Sequence, residues 1–304
     1  MTRTENNILL FSITLCWSAS YIFIKSLPPE LSVFAYLTLT TGIATVILVA
    51  VFAKRLRRMT RGTVKTALVL SAFLTANLLL EKKGIERLPS SNASFLAALA
   101  VIAVPLLLLL FKRKPSRNNA VGAFVIVAGL GLTNRFSISA FMSSGTVFML
   151  LSCMCTAAYT IAADRFTKRE DPLLIGILQM GFTALSSFAL WFFEDSRTFL
   201  SVDYTKELLS SIFILAFFSK AYAYIVLMFS QKYTDPVSVT IIASTEPVVT
   251  LLLAVLIPAA FGGSETFSIF SLCGAMVIVA GAVIAGSNFL GARNLPKEGH
   301  TIAR

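Results

Sequence analysis

Residues 120–131 read AVGAFVIVAGLG and residues 272–282 read LCGAMVIVAGA. The shared pattern, G-A-x-V-I-V-A-G, lies at residues 122–129 and again at residues 274–281, an offset of 152 positions in a chain of 304. A segment that recurs at half the chain length indicates a duplication. Because both copies are uninterrupted apolar stretches, we interpret the duplicated unit as a membrane unit. Duplicated membrane units are typical of transporters, with the substrate held where the copies meet.

The composition excludes a soluble globular protein. Hydrophobic residues make up 56% of the chain and charged residues only 13%, and the mean hydropathy is +0.81, which leaves too little polar surface for a water-soluble fold. The apolar residues come in blocks of about twenty without period-two alternation, a pattern typical of membrane helices rather than of an outer-membrane barrel. The sequence therefore predicts an all-α integral membrane protein.

Uncharged runs bounded by charge, Pro or Gly predict ten membrane spans. The spans cover roughly residues 7–25, 31–53, 64–81, 91–111, 118–134, 144–163, 172–193, 208–230, 236–257 and 266–287. Five spans per copy is an odd number, so the second copy must enter the membrane in the opposite orientation. We therefore predict ten transmembrane helices in two inverted five-helix repeats, the first at residues 1–137 and the second at residues 138–304.

Lys and Arg are distributed unevenly between the two sides of this arrangement. Of the 26 Lys and Arg residues, eighteen lie on the side of the two termini, seven lie on the opposite side and Lys220 lies inside a span. Because positive residues are retained on the cytoplasmic side, we expect a multi-pass protein of the cytoplasmic membrane with both termini in the cytoplasm. The net charge of +11 needs no partner beyond membrane lipid headgroups, so no nucleic-acid partner is expected.

Glycines recur seven residues apart in both copies of the repeated motif, at Gly122 and Gly129 and at Gly274 and Gly281. Such spacing gives each helix a groove of small residues in which another helix can pack closely. We interpret these grooves as scaffold rather than as a ligand site. They fit helix 5 against helix 10, or the seam of a homodimer.

Four further stretches carry a resemblance to a known family. They are residues 16–25 (CWSASYIFIK), residues 88–99 (LPSSNASFLAAL) with Pro105, residues 229–236 (FSQKYTDP) and residues 244–248 (STEPV). In this order and spacing, the chain resembles the EamA-type, ten-helix branch of the drug/metabolite transporter superfamily. The resemblance implies two inverted five-helix bundles around a central cavity. It also implies that the protein moves small metabolites, often amino acids or other polar solutes, through this cavity. Many members carry an Arg in helix 2, whereas residues 36–41 here read YLTLTT, so no helix-2 partner for a substrate carboxylate is expected.

Two ionisable residues are expected at the middle of the membrane. Lys220 lies about 12 residues into helix 8 and Glu246 about 10 residues into helix 9, which is roughly 18 Å and 15 Å at about 1.5 Å per residue. A charge at this depth is costly unless it is paired or hydrated. If the two helices are adjacent, Lys220 and Glu246 can pair, either as substrate-binding charges that also exchange a proton or as a structural ion pair.

Two prolines are expected to interrupt helices. Pro247 follows Glu246 directly and cannot donate a hydrogen bond to the carbonyl of Ala243, and Pro105 has the same effect on Val101. A carbonyl released at this depth is tolerated where it faces protein or a hydrated cavity. We predict that Pro105 and Pro247 act as hinges or gates, with an ordinary packing kink as the alternative.

Aromatic side chains form a stripe on each of two predicted helices. Trp17, Tyr21 and Lys25 follow one another at intervals of four in helix 1, and Tyr224 follows Lys220 by four residues in helix 8, so each set lies on one helix face. Rings beside polar groups suit a cavity that stacks a small organic solute. We therefore predict Trp17, Tyr21 and Tyr224 as substrate-binding residues, with anchoring at the membrane interface as the alternative.

The polar residues of helices 3 and 6 complete the predicted site. Asn77 is expected to face the cavity, whereas Glu81, next to Lys82, is expected at a solvated outer rim or as a partner of Lys25 across the mouth. Tyr159 in helix 6 is predicted to bind substrate with Asn77. Three weaker candidates, which can equally join helices by hydrogen bonds, are Thr156, Thr160 and Gln179.

No enzyme motif competes with the transport interpretation. The chain has a single histidine, His300, and four cysteines inside spans, without the spacing of a metal site, a Walker loop or a G-x-S-x-G motif. We expect no enzyme, no cofactor and no metal. The sequence thus predicts a secondary or facilitated transporter that exports or exchanges a small polar metabolite, such as an amino acid or amine, by alternating access. The alternatives are an ion or proton channel and a membrane-embedded lipid or acyl transferase.

Overall fold

The computed structural model describes residues 3–110, 117–133, 143–195, 202–234, 236–263 and 268–286. In these residues the chain forms ten helices, a short 3₁₀ turn at Ala259–Phe261 and no strand. The helices are α1 (Arg3–Lys25), α2 (Val33–Leu56), α3 (Arg61–Ile85), α4 (Ser90–Leu110), α5 (Arg117–Thr133), α6 (Ser144–Thr167), α7 (Pro172–Asp195), α8 (Lys206–Tyr233), α9 (Pro236–Leu256) and α10 (Ile269–Gly286). The predicted all-helical fold with ten spans is confirmed.

Most of these helices have the dimensions of membrane spans. Within the described residues, eight are long and apolar enough to cross a membrane, and the two shorter ones are α5 and α10. Large apolar side chains cover the outside of the bundle; Leu110, Phe124 and Phe193 are 77%, 76% and 83% exposed. Contact of such a surface with lipid tails is favourable, whereas its contact with water would be unfavourable.

The two copies of the repeated motif pack directly on each other. A Cβ built on Gly129 would lie 2.9 Å from the carbonyl oxygen of Gly274, and a Cβ built on Gly281 would lie 2.9 Å from the carbonyl oxygen of Gly122. The beginning of each motif therefore faces the end of the other, so the equivalent helices α5 and α10 are antiparallel. Antiparallel equivalent helices mean that the two halves have opposite orientations, which confirms the inverted repeat. The glycine grooves serve this contact, because only glycine lets the backbones approach so closely.

The remaining helix contacts relate the two halves in the same way. If each helix is matched with the one five places later, the packing of α3 on α6 corresponds to the packing of α8 on α1. The contacts of α2 with α7 and of α4 with α9 each join two matched helices, so exchanging the two halves leaves these contacts unchanged. Six helices, three from each half, surround a central space: α1, α3 and α4, and α6, α8 and α9.

The equivalent helices α4 and α9 are interrupted at the same position. Each has a first segment of 8 residues and a second segment of 11 residues, separated by Ala98 and Leu99 in α4 and by Ser244 and Thr245 in α9. In α9 the two hydroxyls bond to carbonyl oxygens three residues earlier, and Pro247 removes the next backbone donor. The break in α4 has no proline beside it. Pro105 lies inside the second segment and therefore away from the break, and its predicted role as a hinge stays a prediction.

Connections that the structure describes meet on two faces of the bundle. On one face the loops after α2 and α6 meet, where Arg55 forms an ion pair with Asp171 at 2.9 Å. On the other face the end of α1 meets the loop after α9, with the rings of Phe23 and Phe261 centred 5.7 Å apart. This grouping agrees with the alternation of the predicted spans. The predicted repeat boundary between residues 137 and 138, the basic run at 112–114 and His300 lie outside the described residues.

Candidate functional site

A central cavity lies between the two halves. It encloses about 800 Å³ of space between atoms, with its mouth and the open space before it included. Its lining residues come from the six inner helices: Trp17, Ser20 and Tyr21 (α1); Asn77 and Glu81 (α3); Ala97 and Ala100 (α4); Ser152, Cys153, Thr156, Tyr159 and Thr160 (α6); Ser219, Lys220, Tyr224 and Leu227 (α8); Val239, Thr240, Ala243 and Glu246 (α9).

The seven residues predicted to bind substrate come together in this one cavity. Side chains separated by more than 200 positions in sequence, such as Trp17 and Glu246, face the same space. Their binding role stays a prediction, but their placement satisfies its first condition. Among the described residues, no group of three or more His, Cys, Asp and Glu is arranged to hold a metal ion.

Asn77 connects the two halves at the cavity wall. Its side-chain oxygen accepts hydrogen bonds from the hydroxyls of Ser152 at 2.6 Å and of Thr156 at 2.9 Å, both on α6. Because the carboxamide oxygen is fully engaged, the amide NH₂ of Asn77 is the group left to donate toward a solute. Thr156 and Thr160, weaker candidates from the sequence, both line the cavity.

Glu81 lies in the cavity and not at a solvated rim, which corrects the prediction made for it. Its carboxylate accepts a hydrogen bond from the hydroxyl of Tyr21 at 3.1 Å. Lys82, expected beside it at the rim, is instead buried, with an ion pair to Glu86 and its ammonium 5.6 Å from the ring centre of Tyr36. The helix runs on to Ile85, and the extra turn places Glu81 inside the bundle.

Lys25, the other partner proposed for Glu81, binds the backbone instead. Its ammonium donates to the carbonyl oxygens of Ile85, Glu86 and Leu88 at 3.2, 3.1 and 3.0 Å. A cation at these carbonyls complements the negative end of the helix dipole of α3. Lys25 therefore joins the outer ends of α1 and α3 and does not line the cavity.

The two predicted mid-membrane charges face the same cavity without forming an ion pair. Lys220 and Glu246 are 2% and 6% exposed, and neither has an ion-pair partner within 4.0 Å among the described residues. Lys220 interacts electrostatically with Glu81, and Glu81 with Glu246. The expected Lys220–Glu246 pair is therefore not formed. Three charges share the cavity.

Aromatic rings form one wall of the cavity. The ring centres of Trp17 and Tyr224 lie 5.7 Å apart, and those of Tyr159 and Tyr224 lie 6.2 Å apart in an edge-to-face arrangement. The ammonium of Lys220 lies 5.9 Å from the ring centre of Tyr224. Tyr159 donates to the side-chain oxygen of Gln179 at 3.1 Å, so Gln179 supports Tyr159 from behind and does not line the cavity.

Both interrupted helices turn their breaks toward the cavity. Ala97 and Ala100 flank the break in α4, Ala243 and Glu246 flank the break in α9, and all four line the cavity. The hydroxyl of Ser18 donates to the backbone carbonyl of Glu246 at 3.2 Å, which ties the break in α9 to α1. Pro247 directly follows the cavity residue Glu246, whereas Pro105 is buried away from the cavity. The hinge role stays a prediction for both prolines.

A π-helical segment, Leu215–Tyr222, lies inside α8 and contains the cavity residues Ser219 and Lys220. Such segments inside α-helices are frequent at functional sites. The local sequence contains no pattern that predicts this π-helical segment. Glu81, by contrast, could have been found, because it lies four residues after Asn77 and therefore on the same helix face.

Comparison with known proteins agrees with the fold. The profile of the EamA-like transporter family matches the chain twice, at residues 6–135 and 143–287. An uncharacterized transporter of Archaeoglobus fulgidus is 24% identical over 291 residues, which cover 93% of this chain and 97% of that protein. A solved crystal structure has the same fold, with a TM-score of 0.69 at 18% identity over 94% of this chain and 97% of that chain. The two family matches span almost the whole sequence, and the chain therefore belongs to the EamA-like transporter family.

Proposed function

We propose that the protein is a secondary or facilitated transporter that moves a small polar metabolite through the central cavity by alternating access. The observation that carries this proposal is the cavity itself, which three helices of each inverted half enclose and which seven residues predicted from sequence line. In inverted-repeat transporters, the substrate site lies at the interface of the repeats and is formed by interrupted helices. The breaks of α4 and α9 at the cavity support the same function.

The two halves contact each other on each face of the bundle. On one face, the hydroxyl of Thr63 donates to the carboxylate of Glu170 at 2.8 Å, beside the ion pair of Arg55 with Asp171. On the other face, Phe23 packs on Phe261. Single hydrogen bonds, surface ion pairs and aromatic contacts contribute only about 1 kcal/mol each. They can therefore open and close in turn while the seam of α5 and α10 stays intact.

The predicted orientation completes the proposal. We assign the face with Arg55 and Asp171 to the cytoplasm, together with both termini, and the protein to the cytoplasmic membrane, because the loops on this face carry most of the Lys and Arg residues. Export or exchange is the proposed mode. Homodimer formation stays a prediction.

The first test is binding and counterflow with the purified protein. A metabolite library is screened for thermal stabilisation, because a cavity ligand stabilises the folded state by mass action. Each hit is then measured in proteoliposomes, where a carrier should show saturable uptake and accelerated exchange against internal solute. Linear, non-saturating flux would indicate a channel. Chemical turnover of a lipid or acyl donor without flux would indicate a transferase.

The second test is the orientation of the loops. In a background without the four native cysteines, Arg58→Cys after α2 and Asp203→Cys before α8 each introduce one exposed thiol. Impermeant maleimide added to intact cells should label only Asp203→Cys, and inside-out vesicles should give the reverse. Labelling of both from one face would contradict the inverted topology.

A further inference from the structure

The charges that face the cavity do not balance. Among the cavity-lining residues, the acidic side chains are Glu81 and Glu246 and the basic side chain is Lys220. A cation bound in the cavity would favour the ionised form of its carboxyl groups; with all three groups ionised, the cavity has one excess negative charge. A solute that neutralises it would carry one net positive charge.

Two of the three charges, Glu81 and Lys220, attract each other without forming an ion pair, and the third, Glu246, has no oppositely charged partner in the part of the chain that the structure describes. Glu81 accepts the hydrogen bond of Tyr21 and interacts electrostatically with Lys220. The carboxylate of Glu246 has no hydrogen-bond or ion-pair partner among the described residues, although its side chain is only 6% exposed. Its backbone carbonyl, by contrast, is held by Ser18. Glu246 is thus an unpaired carboxylate that lines a buried cavity.

An unpaired carboxylate in the middle of a membrane is costly, because neither lipid nor a dry protein interior solvates it. The other charges do not remove this cost. Glu81 repels Glu246, and Lys220 lies more than 4.0 Å from it. A cationic group placed beside Glu246 would supply the missing partner.

The cavity wall favours one kind of cation. The rings of Trp17, Tyr159 and Tyr224 border the same space as Glu246, with neighbouring ring centres 5.7 and 6.2 Å apart. Aromatic faces attract ammonium groups through their quadrupole, most strongly when water is excluded. A carboxylate with aromatic neighbours therefore suits an organic ammonium group. Lys220 and the amide of Asn77 can hold the electronegative part of such a solute.

We infer that the solute carries an organic ammonium group and a net positive charge, and that Glu246 binds the ammonium group. This inference rests on the transport function proposed above. Glu246 is then the residue that determines charge specificity. Lys220 offsets Glu81, which limits the preferred solute to a single excess positive charge.

The test uses four probes of similar length that differ in charge. L-Lysine has a net charge of about +1, cadaverine about +2, L-norleucine about 0 and L-2-aminoadipate about −1 near neutral pH. Thermal stabilisation of the purified full-length protein is measured for each. We expect stabilisation by lysine and, more weakly, by cadaverine. Stabilisation by norleucine or aminoadipate in preference to both amines, or by none of the four probes, would overturn the inference.

Variants assign the effect to Glu246. The variant Glu246→Gln should weaken lysine binding by about 30-fold or more, the loss expected when one partner of a buried charge pair is removed. Glu30→Gln, in the exposed loop after α1, is the matched control and should leave binding unchanged. Lys220→Met raises the excess negative charge to two and should reverse the order of cadaverine and lysine. An unchanged order would contradict the charge balance argued here.

The outcomes separate this inference from the transport proposal. Saturable counterflow of a neutral or anionic metabolite from the library screen would leave the carrier function standing and remove the ammonium specificity. Lysine binding without counterflow would retain the specificity and remove the carrier function.

Discussion

The pair of α5 and α10 and the pair of α4 and α9 are each made of equivalent helices from the two halves, but they share different properties. In α5 and α10 the sequence itself is repeated, and four glycines at matched positions bring the backbones together. In α4 and α9 the sequence differs, yet the backbone breaks at the same position in both. The first pair thus forms a symmetric helix contact. The second pair has the same backbone geometry in both halves but carries different side chains.

The difference is sharpest directly after the two breaks. The second segment of α9 begins with Glu246 and Pro247, whereas that of α4 begins with Ala100 and Val101. Glu246 and Ala100 occupy equivalent positions and both line the cavity. The break therefore requires neither a proline nor a charge. The charge is instead a property of one half alone, so the site is asymmetric on a symmetric scaffold.

The largest effect is expected at the seam. In Gly281→Leu, the first side-chain carbon would already lie 2.8 Å from Ile126 and 2.9 Å from the carbonyl oxygen of Gly122, so α5 and α10 must separate. Overpacking of this kind costs about 3 kcal/mol or more. Size-exclusion chromatography and thermal unfolding should show aggregated or strongly destabilised protein. The control Gly42→Leu has no atom within 4 Å and should stay within about 1 kcal/mol of the native protein.

The next effect concerns the asymmetric charge. Glu246→Gln keeps the shape of the side chain and removes its unpaired charge, so the protein should fold with an unfolding temperature at least as high as that of the native protein. Transport in proteoliposomes should fall by about 100-fold or more, which corresponds to about 2.7 kcal/mol. Native uptake by this variant would remove Glu246 from the site and make α9 equivalent to α4 in function.

The smallest effect is expected from the proline. Pro247→Val gives α9 the residue that α4 has at Val101, and the break in α4 persists with that residue, whose backbone N–H donates to Ala98 at 3.2 Å. Transport should therefore change by less than about tenfold, or about 1.4 kcal/mol. A loss as large as that of Glu246→Gln would instead identify Pro247 as the hinge that the sequence predicted.

Much of the fold could be read from the sequence, because membrane helices leave a simple signal. The ends of each predicted span lie within a few residues of the ends of a helix. The repeated glycine motif indicated the contact of α5 with α10. The error with the largest consequence is the end of α3, predicted near residue 81 and found at Ile85. Charged residues after Glu81 suggested a surface, but Lys82 is buried by its pairing with Glu86 and by the ring of Tyr36.

The sequence could predict which residues line the cavity, because residue type and position on a helix face decide this. Polar and aromatic residues at mid-span, such as Trp17, Asn77 and Lys220, have few roles in a membrane other than a cavity or a helix contact, and here they line one cavity. Distances between helices were not predictable, which is why an ion pair of Lys220 with Glu246 was expected and is not formed. The break at Ala98 and Leu99 and the π-helical segment of α8 depend on tertiary packing and leave no local sequence signal.

Because α5 and α10 are antiparallel, alternating access as proposed above would interchange the conformations of the two five-helix units. Under this mechanism the unloaded protein would have two states, whose free energies differ only through the residues that the two units do not share. Under the proposed mechanism, the direction of net movement would be set by the solute concentrations in the two compartments rather than by the protein.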